Sequence, residues 1–129
     1  MRLDFVVLYS RSPDTLAAFY RDGLGLTERL IRFEGRYVEF VAGDVTLAIC
    51  EEALRGDLIP QLNGLNAEVV GSGAAQLSFT VDDVRAAEAR SVQAGAVLVA
   101  TAAIRPWRCE VAIIRDPEGR LIEFCRRLD

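Results

Sequence analysis

The chain has 129 residues, of which 51% are hydrophobic and 26% charged, enough apolar material for one compact domain with a packed core. A formal charge of -4 offers no basic field for nucleic acid. No apolar run approaches the ~18 residues of a membrane span, and strand pattern begins at the N-terminus without a signal segment, so the cytoplasm is the expected compartment.

In chain order, residues 3–9 alternate Phe5, Val7 and Tyr9 with Val6 and Leu8 and predict a strand. Ser12 or Asp14 can cap the helix that follows, with Pro13 in its first turn, Leu16, Phe19 and Tyr20 as its buried stripe, and Gly23 and Gly25 at its end. Strands are expected over 26–33 and 37–41, turned at Gly35, and Ala42-Gly43-Asp44 should return the chain as an antiparallel strand over 45–50. From 51 to 74 the periodicity weakens. Leu54, Leu58, Ile59, Leu62 and Leu65 are broken up by Pro60, Gly64, Gly71 and Gly73, which predicts a connection with one helical turn near 53–55. A strand from Ala75, a helix from Asp83, strands over 96–101 and 109–115, a turn at Asp116-Pro117-Glu118-Gly119 and a strand over 120–125 follow, with Arg126-Arg127 as a solvated end.

The two halves repeat one grammar. Placing Phe5 on Gln76, an offset of 71, also brings Leu8 onto Phe79 and Ala18 onto Ala89. The fold class is therefore α+β: two tandem β-α-β-β-β modules over about 1–50 and 75–129, joined by 51–74 in a single domain of residues 1–129. Each helix should cover Val6 and Leu8, or Leu77, Phe79, Ile122 and Phe124. The alternates Phe5, Val7, Tyr9, Ala48, Gln76, Ser78, Thr80, Glu123 and Cys125 then line the other side, a half-barrel cleft of mixed polarity suited to an organic ligand. Cys50, Cys109 and Cys125 are odd in number and far apart, which reads as free thiols rather than a disulfide framework or zinc site. With no histidine in the chain, the commonest general base, the catalytic triads and most zinc and non-haem iron sites are absent.

The segments LDFVVLY, LAAFYRDGLGL (16–26), QLSFTVDDVRAAEAR and RDPEGRLIEF (115–124) together resemble the vicinal oxygen chelate superfamily, which includes glyoxalases, bleomycin-resistance proteins and extradiol dioxygenases. The resemblance implies the glyoxalase-like fold, a homodimer, and in members with chemistry a divalent ion held from the first and last strands of the modules. The family's metal positions fall here on Phe5, Ala48, Gln76 and Glu123. Only Gln76 and Glu123 carry oxygen donors, too weak a set for ions that draw affinity from imidazole or thiolate unless Glu39 or Glu110 adds to it. No cofactor or resident metal is therefore expected.

The expected ligand residues are Phe5, Val7, Tyr9, Tyr37, Ala48, Gln76, Ser78, Thr80, Arg105, Trp107 and Glu123. Trp107, the sole tryptophan, stacks on a flat ligand or plugs an interface, and Arg105 and Arg108 beside it meet an anionic substituent or solvent. Glu123 serves as general base, binds a cationic group, or pairs with an arginine. Three functions follow: metal-independent binding of a small, partly aromatic or amphipathic molecule; a metal-dependent lyase or dioxygenase of the glyoxalase type; or a metal-free isomerase or cyclase with Glu123 as catalytic base. The expected partners are a second copy and a small organic ligand, with neither nucleic acid nor membrane.

Overall fold

The structure, a computed structural model, describes residues 1–64, 73 and 75–129. The chain divides into two compact units, one holding Met1–Arg21 and the chain from Gly25 into the connection, the other Asp22–Leu24 and the second half. The first contains β1 (Phe5–Ser10), α1 (Pro13–Ala18), β2 (Thr27–Arg32), β3 (Tyr37–Ala42), β4 (Val45–Glu51) and α2 (Glu52–Leu58). The second contains β5 (Gln76–Thr80), α3 (Val84–Gln93), β6 (Val97–Arg105), β7 (Cys109–Arg115) and β8 (Leu121–Arg127). Each unit is a β-α-β-β-β module with one four-stranded sheet, ordered β1-β4-β3-β2 and β5-β8-β7-β6. The first strand of each module pairs parallel with its last, and the remaining pairs are antiparallel.

One face of each sheet is closed by its helix. In the first unit the helix-side rows Val6–Leu47–Phe40 and Leu8–Ile49–Val38 meet the buried Leu16, Ala17, Phe19 and Tyr20. In the second, Leu77–Ile122–Ile114 and Phe79–Phe124–Ala112 lie under α3, whose Val84 and Ser91 are buried. Asp83 caps α3 by accepting from the amide of Ala86 at 3.0 Å.

Several boundaries differ from expectation. The first strand starts at Phe5, because Asp4 keeps only its carbonyl in the ladder, accepting from the Thr46 amide. Ser12 sits at the N-cap of α1 but makes no side-chain cap bond, and Asp14 accepts only from the neighbouring amide of Thr15. The helix then widens into a π-helical turn over Phe19–Gly23. Phe33 leaves the strand for a turn in which it and Glu34 take positive φ, 53° and 57°. The single helical turn foreseen near 53–55 is the two-turn α2, which buries Leu54, Arg55 and Gly56. A side chain at Gly56 would strike the side-chain amide of Asn63. Leu65 and Gly71 lie outside the described residues. Strand β6 runs on to Arg105, which belongs to the strand rather than the loop, and Arg126, expected at a solvated end, lies within β8 paired with Glu110.

The Asp116–Gly119 reversal is locked by Asp116, whose Oδ1 accepts from the amides of Glu118 and Arg120 at 2.8 and 3.1 Å. Gly119 supplies the positive φ, 94°, that closes it.

Candidate functional site

Strand alternation places every expected site residue of the first half except Tyr37 on β1 and β4, on the sheet face opposite α1, and Tyr37 joins them from β3. Register arranges this face in rows: Phe5–Thr46–Val41, Val7–Ala48–Glu39 and Tyr9–Cys50–Tyr37. In the second half the rows are Gln76–Leu121–Arg115, Ser78–Glu123–Ile113 and Thr80–Cys125–Val111. Ala48 is the partner of the residue two after Phe5, and Glu123 of the residue two after Gln76, so the four family positions occupy equivalent places in the two sheets.

The first face is apolar at the positions where the family resemblance implies metal donors. Phe5 is 46% exposed and Ala48 fully buried, and neither offers a lone pair. The carboxylate missing at 48 stands one strand over, on Glu39, directly opposite Ala48. Glu39 is 7% exposed; Arg29 donates to its Oε1 at 2.6 and 3.2 Å, and Tyr37 donates to its Oε2 at 2.6 Å. A bulge between Glu28 and Leu30 brings Arg29 into range. Burial alone would raise the pKa of Glu39, but the Tyr37 and Arg29 hydrogen bonds outweigh it and hold the carboxyl below its ordinary value. Burial first, and then the bond to Glu39, push the Tyr37 hydroxyl well above the usual tyrosine range. Tyr37 is thus a fixed donor rather than a base. Sequence alone marks Glu39 only as an extra metal ligand; here both its oxygens are committed. The other such suggestion, Glu110, lies on the helix side of its sheet, between Arg126 at 3.3 Å and Arg85 at 3.8 Å.

At the far end of the first face, α2 lies over β1 and β4. The Arg55 guanidinium sits 4.3 Å from the centre of the Tyr9 ring, a cation–π contact that makes Tyr9 part of the packing. Cys50 is buried, which raises its thiol pKa despite the nearby Arg55. A hollow of about 550 Å³ beside α2 is lined by Arg11, Glu51, Glu52, Arg55, Leu62 and Asn63 among others, and by none of the expected site residues. Its carboxylates are already answered, Glu51 by Arg36 at 2.8 Å and Glu52 by Arg11 at 3.4 Å.

The second face is polar. Glu123 is half-buried and accepts from the Ser78 hydroxyl at 2.5 Å, across the β5–β8 pair. It has no arginine partner among the described residues, contrary to one of the readings above. Gln76 and Thr80 are exposed. Trp107 stands 65% exposed in the β6–β7 turn, between Arg105 and Arg108.

In neither module do the residues fit a resident divalent ion. Phe5 and Ala48 contribute no donor, Gln76 gives a neutral amide, and Glu123 already takes a hydroxyl. Among the described residues no three of His, Cys, Asp and Glu converge.

With this architecture established, comparison with known proteins identifies the class. The chain matches the glyoxalase-like domain family over residues 5–125 and belongs to it, within the glyoxalase, bleomycin-resistance and vicinal oxygen chelate superfamily. Among solved structures, a glyoxalase/bleomycin resistance protein/dioxygenase family enzyme from Burkholderia phytofirmans PsJN shares 20% identity, covering 99% of this chain and 100% of that one, with a TM-score of 0.80. A protein of unknown function from Agrobacterium tumefaciens shares 29% identity over 99% and 95%, TM-score 0.79. A lactoylglutathione lyase from the same organism shares 23% over 97% and 92%, TM-score 0.71. No curated protein matches the chain.

Proposed function

We propose that the protein binds and sequesters a small, partly aromatic or amphipathic molecule, without a metal, on the sheet faces opposite α1 and α3. The carrying observation is the replacement of donors by Phe5 and Ala48, with the nearest carboxylate, Glu39, locked by Arg29 and Tyr37. What remains is a stacking surface at Phe5 and Val7 and a hydrogen-bonding surface at Gln76, Ser78 and Glu123. Each surface by itself supports ground-state binding, the first by stacking on a flat ligand and the second by hydrogen bonds to a polar or cationic edge. The fold is shared with a lactoylglutathione lyase, which keeps a metal-dependent lyase or dioxygenase in view, but the donor set here disfavours it. A second reading rests on Glu123: a half-buried carboxylate with one oxygen fixed by Ser78 can serve as a proton acceptor in a metal-free isomerase or cyclase. Under that reading Glu123→Gln abolishes turnover while leaving ligand affinity nearly intact. We further infer that the two modules act as one domain, that the chain works in the cytoplasm, and that it pairs with a second copy. No helix among the described residues is long and apolar enough to cross a membrane.

Thermal-shift screening tests the binding reading. Planar compounds should stabilise the parent protein by a few °C at saturation. Mn²⁺ and Ni²⁺ should leave the parent unchanged, and only Phe5→His should begin to respond to them. A parent stabilised by metal and indifferent to every planar compound would overturn the reading.

A further inference from the structure

The fifteen basic side chains of this acidic protein are all arginines. Most are answered within the fold: Arg29 by Glu39, Arg120 by Asp116, Arg126 by Glu110, Arg115 by the carbonyl of Gly119. Among the described residues, Arg105, Arg108 and Arg127 have neither a carboxylate nor a hydrogen-bond acceptor. These three come together at one end of the second sheet. Arg105 pairs with Cys109 across β6–β7, and Cys109 pairs with Arg127 across β7–β8, so the two arginines flank Cys109 in a single row. At roughly 4.8 Å per strand spacing, their backbones stand about 10 Å apart, within easy reach for two arginine side chains to converge. The row lies on the face that carries Glu123, beyond Thr80 and Cys125.

Arg108 closes the turn above this row. Its amide donates to the Arg105 carbonyl at 3.0 Å and its carbonyl accepts from the Leu128 amide at 3.1 Å. The backbone there is left-handed, φ 61°, a conformation that disfavours any residue with a Cβ. The same turn holds Trp107, 65% exposed. Three unneutralised guanidiniums repel one another, and a large aromatic ring is left in water; one ligand class relieves both.

We propose that this end of the second sheet is a binding site for a planar aromatic anion, whose ring stacks on Trp107 and whose phosphate or carboxylate is held by Arg105, Arg108 and Arg127. Guanidiniums match both oxyanions in geometry and charge. The site lies two rows along the sheet from Glu123, and the proposal holds even if the surfaces at Phe5 and at Glu123 bind nothing.

Trp107 is the only tryptophan, so its fluorescence, excited at a wavelength where the probes do not absorb, reports the site directly. The full chain is titrated at low salt with AMP, benzoate, adenosine and inorganic phosphate. AMP or benzoate should change the emission saturably, with whichever binds tighter distinguishing a phosphate from a carboxylate ligand, while adenosine and phosphate alone bind far more weakly. Arg127→Ala should weaken binding roughly tenfold. Arg108→Gly, which keeps the left-handed backbone and removes the charge, should do the same. Added salt should weaken binding as well. The proposal is overturned if no probe alters the emission at millimolar concentration, if adenosine matches AMP, or if Arg127→Ala binds as the parent does.

Discussion

Glu39 shows how a single side chain decides what this fold can do. A carboxylate facing Ala48 would be a ready metal ligand or base were it not clamped by Arg29 and Tyr37. Its folded pKa lies below the ordinary carboxylate value of about 4.3, so the stabilisation it provides is complete above that pH and is lost as pH falls through the depressed value. Glu39→Gln should therefore cost about 2 kcal/mol at pH 7, through loss of the charged acceptor. In urea unfolding the gap between parent and variant should close as pH falls through that depressed value; a gap independent of pH would mean that the carboxylate is not the group responsible. The cluster was hidden in the sequence for a physical reason. Tyr37 and Glu39 share a face by alternation, but Arg29 reaches them only through a bulge, and bulges shift a register that residue spacing alone cannot fix. Phe5, Ala48, Gln76 and Glu123 were legible because each lies in a strand of clear period two.

The element that best repays its sequence signature is the Asp116–Gly119 reversal. Asp116 is a buried carboxylate serving two amides and the guanidinium of Arg120 at 3.4 Å, and it sets where β8 begins. Asp116→Ala leaves those donors short and should cost about 3 kcal/mol, whereas Asp116→Asn keeps an acceptor and should cost roughly half as much. Gly119→Ala, at positive φ, should cost about 1 kcal/mol. Calorimetric melting should rank the three in that order. Strand β7 was read to the residue because Val111, Ile113 and their neighbours form a continuous apolar run between a turn and an aspartate. By contrast β6 is legible in sequence only as far as Thr101, since Ala100 to Ala103 are small and two register shifts erase the alternation there. The length of α2 is not legible because Gly56 and Pro60 look like helix breakers, yet Gly56 is there to admit Asn63.

At the scale of the whole molecule the tandem repeat was the most legible feature, because the 71-residue offset carries both the strand and the helix of each module: β1 begins at Phe5 and β5 at Gln76, α1 at Pro13 and α3 at Val84. The edge strands β2 and β6 leave Ile31, Val97, Leu98 and Val99 exposed, apolar edges of the kind that soluble proteins cover by association. Sedimentation at micromolar concentration should give twice the chain mass of 14.2 kDa, and a monomer throughout would sink the dimer. The parallel pairing of first and last strands also fixes an order of events during synthesis. β1 has no partner until β4 has been made, about 40 residues later, and β5 waits similarly for β8. At translation rates of about 5–20 residues per second, each opening strand stays unpaired for some seconds before its sheet can close. In the first module that strand carries Phe5 and Val7, so the nascent chain is most open to chaperones, and to misassociation, before the second module has begun to emerge.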